Sequence, residues 1–368
     1  MNEYDDLFKK PEQIRETSQK PFHSLDPNEE MQKNISEQKI NRIIFISYFI
    51  IAILMSIVSY SFFYFKYPDA ATINSNLSIA SAPAMTYAES GDEIYPYNIT
   101  LTGSIANGND FELPCIFIIY NIYGTDNNLI ASQYINQEKV SAGGVFTYEE
   151  TISSEFEPSY FAYSYGFDES SYFYIIIFLL QLTLSAILFL YIDKVAFVSD
   201  FKRFFSNFWN SSGLVVGGIF ALITMMYVSQ IILSNFFNVY TTSENEMTIN
   251  SMFAPDPFRL FLLFMILCVL TPIVEELTFR KALYGFFYRR LGPVVAIIAS
   301  SLVFGLLHVA SYGDFIQAIV YVPMGAVLGI FYYLSKRNVH VTIGIHFINN
   351  FISFLIYAFA AYGVTLFA

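Results

Sequence analysis

The stretch IIFISYFIIAILMSIVSYSFFYF, residues 43–65, decides the class of fold. It contains no charged residue, and it is as long as the roughly 20 apolar residues that cross about 30 Å of hydrocarbon as a helix. The whole chain has the same bias, because 55% of its 368 residues are hydrophobic and 14% are charged. Soluble domains are typically about 25% charged, so the composition excludes a soluble enzyme.

Further apolar runs follow the first, so we expect about seven transmembrane helices. They are Tyr172–Ile192, Leu214–Leu233, Phe258–Val274, Pro293–Ala310, Phe315–Leu334 and Val341–Tyr362. The sequence therefore predicts a polytopic α-helical membrane protein. Its predicted parts are a disordered cytoplasmic tail (1–42), a first anchor (43–65), an outer segment (66–171), a second helix with its loop (172–213) and a helical core (214–368). The tail has no apolar segment of the signal-peptide kind, so the first run should stay as an anchor.

Lysine and arginine residues near the span ends predict the orientation, because they concentrate in cytoplasmic loops. Basic clusters precede the first run and follow the second, fourth and sixth, whereas residues 234–257 contain no lysine or arginine. The clusters are Lys33, Lys39 and Arg42; Lys194, Lys202 and Arg203; Lys281, Arg289 and Arg290; and Lys336 and Arg337. This alternation predicts a multi-pass protein of the plasma membrane with a cytoplasmic N-terminus and an extracytoplasmic segment at 66–171.

The outer segment is predicted to be a small all-β sandwich inserted between the first and second helices. After a Ser/Ala/Asn-rich stretch at 69–90, two runs show a period of two, which is typical of strands with one buried face. Their alternating residues are Tyr97, Ile99, Leu101 and Ile105, and then Ile116, Ile118, Tyr120 and Ile122. The segments NITLTGSIAN (98–107) and FIIYNIYGTDNN (117–128) resemble the β-sandwich modules of Gram-positive surface proteins.

The outer segment, residues 66–171, has an excess of acidic residues. It contains two basic and 14 acidic residues, and the whole chain has a formal net charge of −12. Proteins that bind nucleic acid usually present clustered positive charge, so no nucleic-acid partner is expected.

Ionisable side chains in the apolar runs are the candidate functional residues, because charge inside a membrane is costly and usually marks function. Glu276 and Arg280 lie four residues apart on one helix face and are expected to form a structural ion pair. Glu275 is rotated by about 100° from Glu276, which leaves it free. His308 lies in the fifth run and His346 in the seventh.

Helical spacing relates these residues to their neighbours. His346 and Asn350 are four residues apart, as are Phe304 and His308, so each pair shares a helix face. If the fourth and fifth runs form a hairpin about Leu291 and Gly292, Glu275 and His308 lie level, about 25 Å from the turn. His346 lies at the same depth in the membrane as Glu275 and His308 if the basic tip of that hairpin protrudes roughly 10 Å into the cytoplasm.

A carboxylate, two imidazoles and an amide in a cavity of low dielectric constant suit hydrolysis. Glu275 can take a proton from a water molecule that His308 positions, while His346 and Asn350 donate hydrogen bonds to the developing oxyanion. This mechanism requires no cofactor. Glu275, His308 and His346 also have the ligand types of a zinc site, and the residues themselves leave both alternatives open.

Three segments of the core resemble the motifs of a known family. They are EELTFR (275–280), FGLLH (304–308) and HFINN (346–350), and they are similar to the E-E-x-x-x-R, F-x-x-x-H and H-x-x-x-N motifs of the CPBP intramembrane proteases. This family contains CAAX proteases and bacteriocin-processing proteins. The resemblance covers residues 214–368 and implies an intramembrane endopeptidase.

The resemblance also implies a role for each matching residue. The first glutamate and first histidine of the family activate water, and the later histidine and asparagine form the oxyanion site. Glu276, Arg280 and Phe304 are expected to hold the helices and cavity in shape. The catalytic residues carried over are Glu275, His308, His346 and Asn350. The family has also been described as metalloproteases, so a metal role stays open, although the chain has no H-E-x-x-H motif.

The expected partners are membrane lipid and a peptide or protein substrate associated with the membrane. Catalysis does not need the β-domain, so it is expected to bind a protein partner, the substrate or an envelope component. The main alternative function is a non-catalytic bacteriocin-immunity or scaffold protein of the membrane. A proton-coupled transporter is less favoured, because the two halves show no internal repeat. The abundance of Ile, Asn, Tyr and Phe favours a Gram-positive bacterium as the source.

Overall fold

A computed structural model describes residues 27–67, 70–92, 95–168, 171–237, 239 and 243–362. Within these residues, six helices are long and apolar enough to cross a membrane. They are Ile35–Phe62, Phe173–Ile192, Phe208–Phe237, Pro257–Ala310, Phe315–Leu334 and Val339–Ala361. The fourth contains 54 residues and folds back on itself, so the bundle has the predicted crossings. The polytopic helical fold is therefore confirmed.

The helices and two π-helical segments follow one another with short connections. The α-helices are α1 (Pro27–Lys66), α2 (Ala70–Ser75), α3 (Ser171–Ile192), α4 (Lys194–Ser206), α5 (Phe208–Phe237), α6 (Glu244–Ser251), α7 (Pro257–Leu263), α8 (Thr271–Glu275), α9 (Gly285–Ala310), α10 (Ala318–Leu334) and α11 (Val339–Ala361). The π-helical segments are π1 (Phe264–Leu270) and π2 (Glu276–Tyr284). The elements from α7 through π2 into α9 follow one another without a break as one helical segment, Pro257–Ala310, which we call the rod.

This rod reverses direction at Gly292 inside α9. Gly292 has φ +80° and ψ 179°, which glycine adopts without strain, and Pro293 then begins the returning arm with its fixed φ. The rings of Phe279 and Phe304, equally far from the turn along the chain, lie 5.3 Å apart edge to face. The hairpin that the sequence predicted about Leu291 and Gly292 is present.

The N-terminal tail is less irregular than predicted. Helix α1 begins at Pro27, so the expectation of disorder over 1–42 is wrong for residues 27–42, and residues 1–26 lie outside the described residues. Glu, Gln, Lys and Met are good helix formers and dominate this stretch. Tertiary contacts add to that propensity, because Glu37 pairs with Arg289 and the Asn41 side chain packs on Gly285.

The outer segment forms the predicted small antiparallel sandwich of two three-stranded sheets. Its strands are β1 (Leu77–Glu89), β2 (Tyr97–Asn107), β3 (Leu113–Gly124), β4 (Leu129–Val140), β5 (Val145–Ser154) and β6 (Pro158–Asp168). The sheets have the orders β1-β2-β5 and β4-β3-β6. The alternating residues of β2 and β3 lie together in the core, as the period of two predicted, except Tyr97, which is partly exposed. Strand β1 lies in the Ser/Ala/Asn-rich stretch that we interpreted as preceding the domain.

The bundle has two chemically different ends. At the end we call the sandwich end, α1 leaves the bundle and α3 returns, and Arg259 of α7 bonds Glu138 of β4 at 2.8 Å. At the opposite end, the basic end, Lys281 pairs with Asp193, and Arg203 donates to the Lys336 carbonyl at 3.2 Å. The basic clusters that predicted the orientation thus gather at one end of the bundle.

Helices α9 and α10 approach closely at Gly305, which gives a stability prediction. A Cβ atom at this position would lie 2.7 Å from the backbone nitrogen of Val322. We expect Gly305→Ala to lower the free energy of unfolding by about 1–3 kcal/mol, because overpacking forces the helices apart. Gly213→Ala is the control, since a Cβ atom there meets nothing within 4 Å. Thermal unfolding of the two variants in nanodiscs should separate them, and equal midpoints would contradict the prediction.

Candidate active site

The site lies where π1, α8 and π2 meet, and Pro272 accounts for part of its local structure. Proline has no backbone N–H group, so it cannot donate to the carbonyl of an earlier turn. The N–H group of Thr271 bonds to the Ile266 carbonyl. The Leu267 carbonyl instead accepts a hydrogen bond from Asn350 Nδ2 at 2.9 Å. The π-helical segment thus exposes a carbonyl that fixes the amide of a residue on α11.

The amide of Asn350 is held in one orientation. Its Oδ1 accepts a hydrogen bond from Asn349 Nδ2 at 3.2 Å, and one Nδ2 hydrogen is used by Leu267. An amide nitrogen has two hydrogens, so the second is available to a group in the adjoining cavity. Asn350 can therefore act as the donor that an oxyanion site requires.

Glu276 connects an arginine and a histidine on two different helices. Its Oε2 lies 3.2 Å from Arg280 Nε, and both side chains are fully buried, so the predicted ion pair is present. Its Oε1 accepts a hydrogen bond from His346 Nδ1 at 3.1 Å. The Arg280 guanidinium also lies 4.6 Å from the centre of the Phe304 ring, which is a cation–π contact. Glu276 therefore joins α11 to the hairpin as well as pairing within π2.

Glu275 and Glu276 lie on opposite sides of the His346 ring. Glu275 Oε2 is 3.9 Å from His346 Nε2, and this carboxylate oxygen is buried without a hydrogen-bond partner in the described part of the chain. A carboxylate only accepts hydrogen bonds when ionised, so His346 Nδ1 carries a proton toward Glu276. His346 Nε2 then accepts a hydrogen bond in the neutral ring and donates one when the ring carries both protons.

His308 has a defined tautomer as well. Its Nδ1 lies 2.7 Å from the Phe304 carbonyl oxygen, which only accepts hydrogen bonds, so Nδ1 carries the proton and Nε2 is the acceptor of the neutral ring. The ring stacks on Tyr321 with 4.9 Å between centroids. The Tyr321 hydroxyl lies 2.6 Å from Ser243 Oγ, and Asn245 Nδ2 donates to it at 3.3 Å. These contacts fix the plane of the imidazole.

The four predicted catalytic residues line one cavity of about 480 Å³. Glu275 reaches it from α8, His308 from α9, and His346 and Asn350 from α11. The arrangement combines a carboxylate oxygen with two imidazoles and an oriented amide, which can hold and activate a water molecule. Phe304 lies in the wall of the cavity, whereas Glu276 and Arg280 lie behind it.

The zinc set considered from the sequence is not assembled in this arrangement. Among the described residues, no three His, Cys, Asp or Glu side chains converge as ligands of one metal ion. Glu275 Oε2 lies 3.9 Å from His346 Nε2, and in the described part of the chain no third such side chain completes this pair as a ligand set. We therefore derive no step through a metal ion.

Several residues of the site were missed by the sequence analysis. Helix α6 covers the cavity, and its start has the Ser-x-x-Glu pattern of a capping box, with Ser243 accepting a hydrogen bond from the Glu246 amide. That pattern is a signal that could have revealed α6. Pro272 within an apolar run was a second signal, because it requires a disturbed helix. Tyr321 gave no signal, since one tyrosine at a span end is common.

The fold is that of a multi-pass helical membrane protein, and its site places a buried carboxylate and two histidines at one cavity. Residues 257–352 match the family of type II CAAX prenyl endopeptidase Rce1-like proteins. The match confirms, for this part of the chain, the resemblance that the three motifs indicated.

A relative in Bacillus subtilis (strain 168) gives the same indication. The chain is 29% identical over 101 residues to the protein named "Putative membrane peptidase YdiL". The match covers 27% of this chain and 38% of that protein, so the chain spans well under half of the relative's length. No solved structure matches the chain. The matches support a membrane peptidase at the level of the family.

Proposed function

We propose that the protein is an intramembrane endopeptidase that cleaves a peptide bond in a membrane-associated protein or peptide. The observation that carries the proposal is the Glu275 oxygen, which is buried without a hydrogen-bond partner among the described residues beside a cavity that His308, His346 and Asn350 also line. A carboxylate placed in this way needs a proton donor, and a bound water molecule supplies one.

The proposed mechanism assigns each side chain a step. His308 accepts a hydrogen bond from the water through Nε2, and Glu275 takes a proton as the water oxygen bonds to the carbonyl carbon of the substrate. The carbonyl oxygen becomes negative and receives hydrogen bonds from Asn350 Nδ2 and from His346 Nε2 in its doubly protonated form. The proton on Glu275 then passes to the leaving nitrogen as the peptide bond breaks. No external reductant, oxidant or cofactor enters these steps.

The proposal also covers the membrane around the bundle, the orientation of the chain and the β-sandwich. Membrane lipid surrounds the bundle, whose helices expose large apolar side chains along their lengths. The basic end is proposed to face the cytoplasm of a Gram-positive cell, which places the β-sandwich outside. The sandwich is proposed to bind the substrate, a partner protein or an envelope component.

The test compares the protein and peptide termini of cells that express either the wild-type protein or Glu275→Gln at equal levels. The substitution keeps the side-chain shape and removes the base. We expect specific termini, measured by mass spectrometry, to disappear in the variant, and those termini identify the substrate. Lys202→Gln, at an exposed position of α4 outside the sandwich and the cavity, is the control and should match the wild type. Identical profiles for Glu275→Gln and wild type would favour the non-catalytic immunity or scaffold alternative.

A further inference from the structure

The cavity extends from Glu275 toward the sandwich end of the bundle. On α11 the lining residues begin at His346 and continue to Tyr357, toward the C-terminal end of that helix. On the rod, the lining residues are Glu275 and two residues that precede it toward α7, Thr271 and Leu267. Helix α7 contacts the sandwich through Arg259, so both sets of lining residues lead to the same end.

We call the part of the cavity nearest the sandwich end its mouth, and α6 and the start of α10 line it. Helix α6 contributes Ser243, Asn245, Glu246 and Ile249, and α10 contributes Tyr321 near its first turn. Tyr357 donates a hydrogen bond to Glu246, which joins the end of α11 to α6. The residues of the basic end line a separate polar cavity of about 160 Å³ that shares none of these residues.

Acidic side chains lie at and beside the mouth. Glu246 lines the cavity, whereas Glu244 and Asp314 lie beside its lining, and Asp314 accepts a hydrogen bond from the Glu244 backbone amide at 3.3 Å. Among the described residues, the lining of the cavity contains no lysine or arginine. Burial raises the pKa of Glu244, and the nearby Asp314 raises it further.

The cavity wall also contains polar atoms that need a ligand. Thr271 Oγ1 and Glu275 Oε2 are buried without a hydrogen-bond partner in the described part of the chain, and both residues line the cavity. Thr271 is 9% exposed and lies one helical turn closer to the mouth than Glu275. A buried hydroxyl without a partner is unfavourable, so this wall is complete when a polar chain occupies it.

From these observations we infer that the cavity admits a peptide segment carrying lysine or arginine, and that this segment enters from the sandwich end. The inference deepens the proposed peptidase function and rests on it. Glu244, Glu246 and Asp314 attract the cationic side chains, and an acidic mouth with apolar walls concentrates cations and raises their association rate. Thr271 then bonds the backbone of the segment, whose next peptide group reaches Glu275.

The direction of entry is tested by thiol labelling of the full-length protein in cells. The wild type gives the background, because Cys115 and Cys268 are both buried. Ser353→Cys reports on the cavity, Glu149→Cys marks the sandwich end and Arg290→Cys marks the basic end. We expect a membrane-impermeant maleimide to label Ser353→Cys under the conditions that label Glu149→Cys. Labelling that follows Arg290→Cys, or no labelling after permeabilisation, would overturn the inference.

The charge preference is tested by binding, without need of turnover. The probe is a fluorescent leucine-rich peptide with three lysines, compared with the same peptide carrying three glutamates, and the protein is full-length Glu275→Gln in nanodiscs. Adding Glu244→Gln, Glu246→Gln and Asp314→Asn should raise the Kd of the lysine peptide about tenfold, because three attractive pairs are lost. The glutamate peptide should bind more weakly than the lysine peptide before these changes.

The control removes the same number of charges from the sandwich, with Glu149→Gln, Glu150→Gln and Glu155→Gln, and should change the Kd by less than about twofold. An equal Kd for both peptides, or an equal effect of the two triple variants, would overturn the inference and leave the peptidase proposal intact. Failure of the peptidase proposal would look different. The lysine peptide would still bind, but no termini in cells would depend on Glu275, and the bound segment would then not be cleaved.

Discussion

Arg280→Met is expected to lower the free energy of unfolding by about 3–5 kcal/mol, because it leaves the buried Glu276 carboxylate without its cation. Arg280 and Glu276 are both fully buried, so water cannot replace the lost partner. The loss of the cation–π contact with Phe304 adds to the effect. Thermal and denaturant unfolding of the purified protein in nanodiscs measure the change. Arg203→Met is the control, since its side chain is 41% exposed and its loss should have an effect of at most about 1 kcal/mol.

A double variant separates the structural role of the pair from its effect on the site. Replacing both partners of a buried ion pair with apolar residues is often neutral, so Glu276→Leu with Arg280→Met should recover most of the lost stability. Activity should stay low, because His346 Nδ1 no longer has its acceptor and the imidazole loses its fixed orientation. If the double variant regained activity, Glu276 would not position His346. If Arg280→Met unfolded like the wild type, the buried pair would not stabilise the fold.

Much of the fold could be predicted because its signals are local. The turn at Gly292 lies where a hairpin of the fourth and fifth apolar runs was considered, and the pair Glu276–Arg280 followed from four-residue spacing on one helix. The alternating residues of β2 and β3 likewise predicted the buried side chains, apart from Tyr97. Strand β1 was missed because serine and alanine give little alternation in hydrophobicity, so its pairing with β2 determines that it is a strand.

The sequence predicted which residues form the site but not the hydrogen bonds and ring contacts that join them. The sequence identified the polar residues of the membrane runs, yet the bonds His346 to Glu276 and Asn350 to Leu267 join elements that are far apart in the chain. Such contacts depend on the rotation of each helix about its axis, which a single sequence does not specify. The stacking of Tyr321 on His308 depends in the same way on how α10 packs against α9.

Glu275→Gln should lower kcat by about 10³–10⁴ when turnover of the substrate found from the termini is measured with purified protein, because it removes the proposed general base. The amide keeps the volume of the carboxylate, and Glu276 still pairs with Arg280 and His346, so the protein should fold as the wild type does. KM should change little, since the base acts on water and not on the bound peptide. If the wild type and Glu275→Gln have equal unfolding midpoints, the loss of kcat comes from the chemical step and not from a less stable fold.

The neighbouring glutamate gives the sharpest comparison for this prediction. Glu276→Gln is also nearly isosteric, but it should lower the unfolding midpoint together with kcat, because it removes the buried charge that balances Arg280. Glu275→Gln should lower kcat alone, since Glu275 Oε2 has no hydrogen-bond partner among the described residues to lose. If Glu275→Gln retained more than about a tenth of wild-type kcat, another group would have to activate the water, since a general base contributes at least about 10²-fold. His308, whose Nε2 is the acceptor of its neutral ring, would then be the base.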